Sequence, residues 1–344
     1  MTFELTTVAD DEVVFFDGPE RHVYDNLTPD ATVELHGVEV RTLPRPGELL
    51  CRFATVNDVH FGETECGIME GFELGPVFSV PEGADPYPEV MNRGAVAEMR
   101  AIDAAAVIVK GDLTARGTHE EYDDFLRMYE PAFGDRLHHF RGNHDGYHGA
   151  TFAANAPMCV DLPGVRLALI DTVIPTQTTG QVTGDQVGWL DTLAAESDRP
   201  VLVFGHHHVW SPASRNREPG YFGINPDDSE RLIDVVRRRD AIRGYFAGHT
   251  HRNRVRRFAA TGDVPWVEVA CVKDFPGSWA EYRVFDGGIL QIHRRISAPD
   301  ALAWTEQTRA MFGGLYPDYA FGSLDDRCFL ISLRARRKPS RSSQ

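Results

Sequence analysis

Short apolar runs alternate with amphipathic stretches along most of the chain. From residue 51 onward, runs rich in Val, Ile, Leu and Phe predict strands, and the stretches between them predict helices. The predicted strands are 52–56, 106–109, 137–140, 165–170, 201–204 and 244–246, and the predicted helices are 91–103, 118–130, 185–196 and 228–239. Strands that alternate with helices in this way predict an α/β fold built in layers.

Other patterns interrupt or follow this alternation. Two Gly- and Pro-rich stretches, 62–90 and 211–226, predict long surface loops of the kind that often act as lids. Three further strand-like runs and one more helix are predicted toward the end of the chain. They are strands at 264–272, 280–285 and 288–296 and a helix near 299–312.

The two ends of the chain are predicted to be separate segments. Residues 1–46 have short alternating stretches between turn residues, which predict β-hairpins too small to hold a core alone, so they should pack on the main domain. We therefore expect an amino-terminal hairpin segment (1–46), a main domain (47–297) and a carboxy-terminal segment (298–344). The last segment should contain a helix and a basic, frayed tail.

Five polar motifs come directly after predicted strands. They are Asp58-Val-His60, Gly111-Asp112, Gly142-Asn143-His144-Asp145, Gly205-His206-His207-His208 and Gly248-His249-Thr-His251. Each motif alone is also typical of a turn or a surface loop. Strands deliver their ends to one edge of a sheet, so we expect all five to meet in one crevice. Carboxylates, imidazoles and an amide are suitable ligands for Mn, Fe, Zn or Co ions.

The spacing within two of these motifs predicts a local geometry. Asp58 and His60 are two residues apart, as are His249 and His251. In an extended backbone, residues two apart point to the same face. We therefore expect each pair to present both side chains to one side, provided that the backbone stays extended.

Composition and charge narrow the classes of partner. The chain has 35 Lys and Arg residues against 51 Asp and Glu residues, a net charge of −16, which disfavours nucleic acid as a partner. No apolar run approaches 18 residues and the first residues lack the features of a signal peptide, so we expect no membrane association and a cytoplasmic location. The five scattered cysteines form no CxxC pair and indicate neither disulfides nor a zinc knuckle.

Taken together, the five motifs resemble the full motif set of the calcineurin-like metallophosphoesterases, over residues 51–297. The stretch Gly111-Asp-Leu-Thr is most similar to the bacterial branch that includes class III cyclic nucleotide phosphodiesterases. The resemblance implies a four-layer αββα sandwich of two mixed β-sheets with flanking helices. It also implies a hydrolase of phosphate esters whose cofactors are two divalent or mixed-valence transition metal ions, such as Mn, Fe, Zn or Co.

The resemblance also implies a set of ligands and a mechanism. Asp58, His60 and His251 would bind one ion, Asn143, His206 and His249 would bind the other, and Asp112 would bridge them. His207 competes with His206, because His208 stands where relatives usually have Pro. A hydroxide that bridges the two ions would attack phosphorus, and His144 would stabilise or protonate the leaving oxygen.

One departure from related enzymes affects the residue that orients His144. Ala115 stands where purple acid phosphatases have a tyrosine ligand and where protein phosphatases have an Asp that orients the motif histidine. Asp145 is therefore the candidate for orienting His144. Arg116 lies where protein phosphatases place a phosphate-binding arginine, although a solvated turn residue is the favoured interpretation.

The substrate is less well defined by the sequence. Four arginines just beyond the last motif could flank a phosphate or form a solvated strand face, which is the favoured interpretation. They are Arg252, Arg254, Arg256 and Arg257. Aromatic residues at 210, 221 and 222 could stack on a base or simply pack within their loop. We expect a small phosphodiester as substrate, with a cyclic nucleotide or a nucleotide-like compound as candidates. The alternatives are a small phosphomonoester, a nuclease, or a non-catalytic binding scaffold of the same fold.

Overall fold

The computed structural model of the chain describes residues 3–69, 71, 74–218 and 220–333. Its strands are β1 (Glu4–Val8), β2 (Val13–Asp17), β3 (Glu20–Tyr24), β4 (Thr32–Leu35), β5 (Val38–Arg41), β6 (Leu49–Val56), β7 (Glu65–Cys66), β8 (Phe78–Ser79), β9 (Val107–Lys110), β10 (Leu137–Phe140), β11 (Met158–Leu162), β12 (Val165–Leu169), β13 (Val201–Phe204), β14 (Ile242–Ala247), β15 (Arg254–Arg257), β16 (Pro265–Glu268), β17 (Ser278–Phe285), β18 (Gly288–Arg295) and β19 (Phe329–Ser332). Its helices are α1 (Tyr87–Ala101), α2 (His119–Phe133), α3 (Asn143–Gly146), α4 (Gly184–Glu196), α5 (Pro226–Arg238), α6 (Pro299–Thr308), α7 (Tyr316–Ala320) and α8 (Leu324–Arg327).

Two six-stranded mixed sheets form the centre of the molecule. The first sheet has the order β10-β9-β6-β17-β18-β19, and the second has the order β11-β12-β13-β14-β16-β15. In the first sheet β10, β9 and β6 run parallel, and in the second sheet β12, β13, β14 and β16 run parallel. Each sheet therefore presents the carboxyl ends of neighbouring parallel strands at one edge.

The sheets pack face to face and each is covered on its outer side by helices. Successive residues of β6 face opposite sides: Phe53 lies in the apolar core between the sheets, and Ala54 lies in the core shared with α1, α2 and α6. A third core joins the second sheet to α4 and α5. The arrangement is helix, sheet, sheet, helix, which confirms the predicted four-layer αββα sandwich.

The amino-terminal segment folds into a three-stranded sheet of β1, β2 and β3 and a separate hairpin of β4 and β5. Polar contacts connect it to the sandwich. The Arg283 guanidinium donates to Asp10 Oδ1 at 2.6 Å, and the Thr7 hydroxyl donates to the His293 carbonyl at 2.7 Å. The segment thus packs on the first sheet.

The carboxy-terminal segment differs from its prediction. The helix predicted near 299–312 ends at Thr308, because Phe312 and Gly313 have positive φ values of 53° and 68° that a right-handed helix does not accommodate. Strand β19 was not predicted, yet it pairs antiparallel with β18 at the edge of the first sheet. The tail predicted from residue 334 lies outside the described residues.

Smaller differences concern the loops and strands near the carboxyl ends of the sheets. The predicted loop 62–90 contains the short strands β7 and β8 and the first residues of α1. The strand predicted over 264–272 ends at Glu268. The arginine-rich stretch just before it, for which a strand face was the favoured interpretation, forms β15. Among the described residues, no helix combines the length and apolarity that a membrane crossing requires.

Candidate metal centre

The five polar motifs all lie in loops that begin at the carboxyl ends of parallel strands. The loops follow β6, β9 and β10 of the first sheet and β13 and β14 of the second sheet. Backbone hydrogen bonds join these loops: the His60 amide donates to the Asp112 carbonyl at 2.9 Å, and the Gly248 amide donates to the His206 carbonyl at 3.0 Å. The two sheets thus bring distant parts of the chain to one crevice.

The backbone in these motifs is not extended, contrary to the geometry expected from the spacing. Positive φ values occur at five of the predicted ligands, namely Asp58 (55°), His60 (49°), Asp112 (49°), His249 (67°) and His251 (54°). The strands end before the motifs, at Val56, Lys110 and Ala247, so no ladder of hydrogen bonds holds these residues extended. Non-glycine residues adopt this conformation at a cost, and such residues cluster at functional sites.

Two glycines allow the loops to approach each other closely. A Cβ atom on Gly111, whose φ is +84°, would lie 2.5 Å from His206 Nδ1. A Cβ atom on Gly142 would lie 2.2 Å from Asp112 Oδ1. Any side chain at either position would push a predicted ligand out of place, so both glycines are needed for the packing of the motifs.

The first group of donor atoms comes from Asp58, His60, Asp112 and His251. One donor atom from each residue lies within 4.8 Å of all the others. His251 Nε2 is 3.4 Å from Asp58 Oδ1, and His60 Nε2 is 3.5 Å from Asp112 Oδ2. Nitrogen and oxygen donors at these separations can converge on a single cation.

The second group surrounds His206. His206 Nε2 lies 3.0 Å from Asn143 Oδ1 and 3.3 Å from Asp112 Oδ2. His206, His207 and His249 each have a ring nitrogen within 4.8 Å of the other two. Asp112 is therefore next to both groups, which is the position expected of a bridging ligand.

His206 and His207 each have one ring nitrogen hydrogen-bonded and the other directed into the site, and they differ in what that second nitrogen faces. The Nδ1 atom of His206 is 2.8 Å from the Lys110 carbonyl, so its Nε2 faces Asp112 and Asn143. A hydrogen bond from the other ring nitrogen is typical of metal-binding histidines. His207 Nδ1 lies 2.8 Å from the Thr172 hydroxyl, and its Nε2 faces the His206 and His249 side of the site.

Ring nitrogens of three histidines in the crevice have no hydrogen-bond partner among the described residues. They are both nitrogens of His60, Nε2 of His207 and Nε2 of His249, and all are buried. Burial lowers the pKa of each of these imidazoles, which keeps them in the neutral form that binds metals. A buried nitrogen without a partner costs free energy, and a cation would satisfy it. The donor set therefore fits metal ions.

The charges at the site fit cations as well. Burial lowers the pKa of His206, but the Asp112 carboxylate outweighs this effect and raises it to about 9. Burial raises the pKa of Asp112, but His206 and His144 hold it well below its usual value. The Asp112 carboxylate thus stabilises positive charge beside it, and a bound cation would supply that charge in place of a proton.

The orientation of His144 corrects one expectation. His144 Nδ1 lies 2.8 Å from the Ala115 carbonyl, so that carbonyl orients the ring, and Asp145 does not. The Asp145 carboxylate instead accepts hydrogen bonds from the Leu113, Thr114 and Gly142 amides and the Thr114 hydroxyl, at 2.6–3.0 Å. Through these bonds the buried Asp145 carboxylate connects the loop after β9 to the loop after β10.

The structure also decides the alternatives for the nearby arginines. Arg252 and Arg256 pair with the buried carboxylate of Glu268, with shortest N–O distances of 2.8 Å and 3.3 Å, and are neither phosphate ligands nor a solvated face. Arg254 is exposed. The exposed side chain of Arg116 pairs with Glu121 at 3.0 Å, in the capping box that begins α2.

The aromatic residues of the 211–226 loop divide into two groups. The Trp210 indole donates to the Asn216 carbonyl at 2.8 Å, and the Tyr221 hydroxyl lies 3.1 Å from His208, so both pack within the protein. Phe222 is half exposed and stacks on the His249 ring, with 4.0 Å between centroids. It forms one wall of a cleft of about 230 Å³ that contains the two donor groups.

Sequence reasoning missed Glu63, which lies behind His60 and pairs with Lys273. Glu63 Oε2 lies 3.4 Å from His60 Nδ1, and the buried Lys273 ammonium lies 2.8 Å from the same carboxylate oxygen. Burial raises the pKa of Glu63, but Lys273 and His60 outweigh it and hold that pKa at about 2. Glu63 follows His60 by three residues, and this spacing was the signal that could have identified it. Its partner Lys273 is distant in sequence, so the pair could not be predicted.

We predict that Glu63→Gln will weaken metal binding. The substitution keeps the size of the side chain but removes the negative charge that faces His60 Nδ1. Loss of such an outer carboxylate typically costs about 10- to 100-fold in metal affinity. Titration of metal-free protein with Mn²⁺ in a calorimeter measures the effect, and Glu65→Gln is the control because Glu65 is exposed in the same loop. Equal affinities in the two variants would exclude Glu63 from the site.

Comparison with known proteins agrees with this geometry. The family model of the calcineurin-like phosphoesterases matches residues 51–253, which contain all five motifs. The chain therefore belongs to the calcineurin-like phosphoesterase family. It is a metal-dependent phosphoester hydrolase, and its resemblance to the family, inferred from the motifs, is confirmed.

Individual relatives are more distant. The chain is 27% identical over 229 residues to a "probable cyclic nucleotide phosphodiesterase" of Rhodococcus erythropolis, covering 63% of this chain and 69% of the relative. It is 26% identical over 183 residues to a 3',5'-cyclic adenosine monophosphate phosphodiesterase of Pseudomonas aeruginosa, covering 50% of this chain and 63% of the relative. A dimetal phosphatase from Danio rerio has the same fold, with a TM-score of 0.55 at 14% identity over 83% of this chain and all of that one.

Proposed function

We propose that this chain is a dinuclear-metal phosphodiesterase that hydrolyses a small phosphodiester. The observation that carries the proposal is the position of Asp112 between two groups of donor atoms. Asp58, His60 and His251 lie on one side of it, and Asn143, His206 and His249 lie on the other. We assign the first three residues to one ion, the second three to the other, and Asp112 to both.

The site has the charge that a phosphate substrate requires. Asp58 and Asp112 contribute two negative charges, fewer than the positive charge of two divalent ions, so the loaded site would be cationic inside an acidic protein. Bound divalent ions would act as Lewis acids toward phosphoryl oxygens and would lower the pKa of a water molecule at the site. The donor set does not distinguish Mn, Fe, Zn and Co.

The residues of the chain have separate tasks in this proposal. His144 is partly buried at the edge of the cleft, with its ring centroid 4.5 Å from that of His60. The Ala115 carbonyl accepts a hydrogen bond from His144 Nδ1, which leaves Nε2 available to face the oxygen of the leaving group. Asn143 is held by its amide nitrogen, which donates to the Tyr147 hydroxyl at 2.6 Å, so its Oδ1 faces His206.

A phosphodiester is favoured over a monoester because the relatives with sequence similarity include cyclic nucleotide phosphodiesterases. A cyclic nucleotide is accordingly one candidate substrate.

The proposal is tested by metal stoichiometry and substrate class together. We expect metal-free protein to bind two equivalents of Mn²⁺ per chain by calorimetry, and the loaded protein to hydrolyse bis(4-nitrophenyl) phosphate faster than 4-nitrophenyl phosphate. One equivalent of metal would contradict the dinuclear assignment. Faster hydrolysis of the monoester would indicate a phosphatase, and no hydrolysis of either compound would contradict the proposal.

A further inference from the structure

A second cavity opens beside the metal cleft and is lined by apolar side chains. We call it the apolar recess; it measures about 280 Å³ and is lined by Met69, Phe312, Leu315, Tyr316 and Tyr319. Four of these residues, all except Leu315, also line the cleft that contains the donor groups. The recess and the cleft are therefore one continuous depression, polar at one end and apolar at the other.

The two tyrosines present their rings and not their hydroxyls to the recess. The Tyr316 hydroxyl donates to Asp274 Oδ1 at 2.6 Å, and the Tyr319 hydroxyl donates to the Thr250 carbonyl at 2.9 Å. None of the five lining side chains carries a charge. A ligand with hydrogen-bonding edges would lose its bonds to water there without gaining others, so the recess favours an apolar group.

The walls of the recess are held in place by contacts between two distant segments. The Gly313 amide donates to the Gly75 carbonyl at 2.8 Å, which joins the turn after α6 to the loop between β7 and β8. Phe312 occupies the left-handed region, with φ 53° and ψ 43°, and its ring centroid is 5.6 Å from that of Tyr316. The aromatic side of the recess is thus built by a defined turn.

Apolar side chains at the edge of the recess are exposed to solvent, although the chain has a net charge of −16. Leu315 is 59% exposed and Met69 is 57% exposed, and Ile68, next to Met69, is 64% exposed. Apolar side chains gathered at one place on a protein surface mark a binding site more often than chance exposure does. Because these side chains lie beside the candidate metal centre, we expect them to contact the same ligand as the metal centre.

We propose that the apolar recess binds an apolar substituent of the phosphoester whose phosphate lies at the metal centre. The substrate would then be amphiphilic, with an alkyl or aromatic group next to the phosphate. This inference rests on the proposed function, because the phosphate places the substituent. It implies that binding depends on the length of the apolar group and that the recess contributes most of this dependence.

The test compares methyl phosphate with hexyl phosphate. Their inhibition constants against hydrolysis of bis(4-nitrophenyl) phosphate and their dissociation constants by calorimetry are measured on the Mn²⁺-loaded protein. A fully buried methylene contributes about fourfold to affinity, so five extra methylenes that are only partly buried should give at least about tenfold tighter binding. Equal affinities of the two compounds for the active enzyme would overturn the inference and leave the proposed function intact.

Two variants at exposed positions locate the effect. We expect Leu315→Asp and Met69→Asp to abolish the preference for hexyl phosphate. Leu315 does not line the metal cleft, so Leu315→Asp should leave the affinity for methyl phosphate unchanged. Val38→Asp is the control, because Val38 is exposed in the hairpin of β4 and β5. A chain-length preference that survives in both recess variants would overturn the inference, as would a dimer that Leu315→Asp dissociates in light scattering, since a second copy would then cover the recess.

Absence of catalysis is a separate outcome. If the loaded protein hydrolyses no phosphoester, the proposed function fails, and the calorimetric constants for methyl and hexyl phosphate still decide whether the recess binds an apolar group. Chain-length-dependent binding that disappears in Leu315→Asp would then support the recess as a ligand site without turnover.

Discussion

Asp112→Asn will reduce hydrolysis of bis(4-nitrophenyl) phosphate by at least about 10³-fold, because the substitution removes the charge shared by both donor groups. Asp112 Oδ2 lies 3.5 Å from His60 Nε2 and 3.3 Å from His206 Nε2, so no other carboxylate of the site has this position. Metal ions supply several kcal/mol of transition-state stabilisation, and each ~1.4 kcal/mol is a factor of ten in rate. Steady-state kinetics at saturating Mn²⁺ measure the loss.

The same variant should bind metal with altered stoichiometry. We expect calorimetry to show that at least one of the two equivalents of Mn²⁺ is lost in Asp112→Asn. Asp103→Asn is the control, because Asp103 is outside the site, has an exposed side chain and has a φ of 49°, which Asn tolerates. Wild-type kinetics in Asp112→Asn would remove the shared carboxylate from the mechanism.

His144→Ala will lower turnover by about 10²–10⁴-fold and keep both equivalents of metal, since the ring is assigned to the leaving group and not to an ion. His144 Nδ1 is held by the Ala115 carbonyl at 2.8 Å, so the variant leaves the donor atoms of the metal centre in place. Metal content by elemental analysis and kcat for a phosphodiester with a poor leaving group measure the two effects.

The dependence on the leaving group separates catalysis from a structural role. A 4-nitrophenolate leaves without a proton, whereas an alkoxide requires one, so His144→Ala should slow the ester with the alkoxide leaving group far more than the nitrophenyl ester. His148→Ala is the control, because His148 is exposed and close in sequence. An equal loss for both esters, or loss of metal, would show that His144 acts on the fold or the ions.

The order of the strands and helices could be predicted because each type of element has its own local pattern of apolar and polar residues. The strands 137–140 and 201–204 were predicted with the observed bounds, and the helix predicted at 185–196 begins one residue earlier. The local pattern gave no structural reason for the polar residues that follow these strands. Their position after successive strands was enough to predict that they meet.

The details of the candidate site could not be predicted in the same way. Sequence spacing placed Asp58 and His60 on one face of an extended backbone, but both residues have positive φ. Asp145 was the candidate for orienting His144 because Ala115 carries no carboxylate, whereas the Asp145 carboxylate accepts hydrogen bonds from the loop after β9, 31 and 32 residues earlier in the chain. The direction of a side chain in a loop depends on what packs against it, and that partner is remote.

The sequence alone predicted a layered α/β fold and the polar side chains that meet at the strand ends, because periodicity and residue type are local properties. The αββα arrangement and the class of chemistry followed from the resemblance of the five motifs to a known family. Tertiary packing alone decided which nitrogen of His206 faces Asp112, which carbonyl holds His144, and that Glu63 and Lys273 stand behind His60. It also brought Met69 beside the turn at 312–319 to form the apolar recess. Such contacts join segments separated by up to 250 residues, and no local pattern encodes the distance between them.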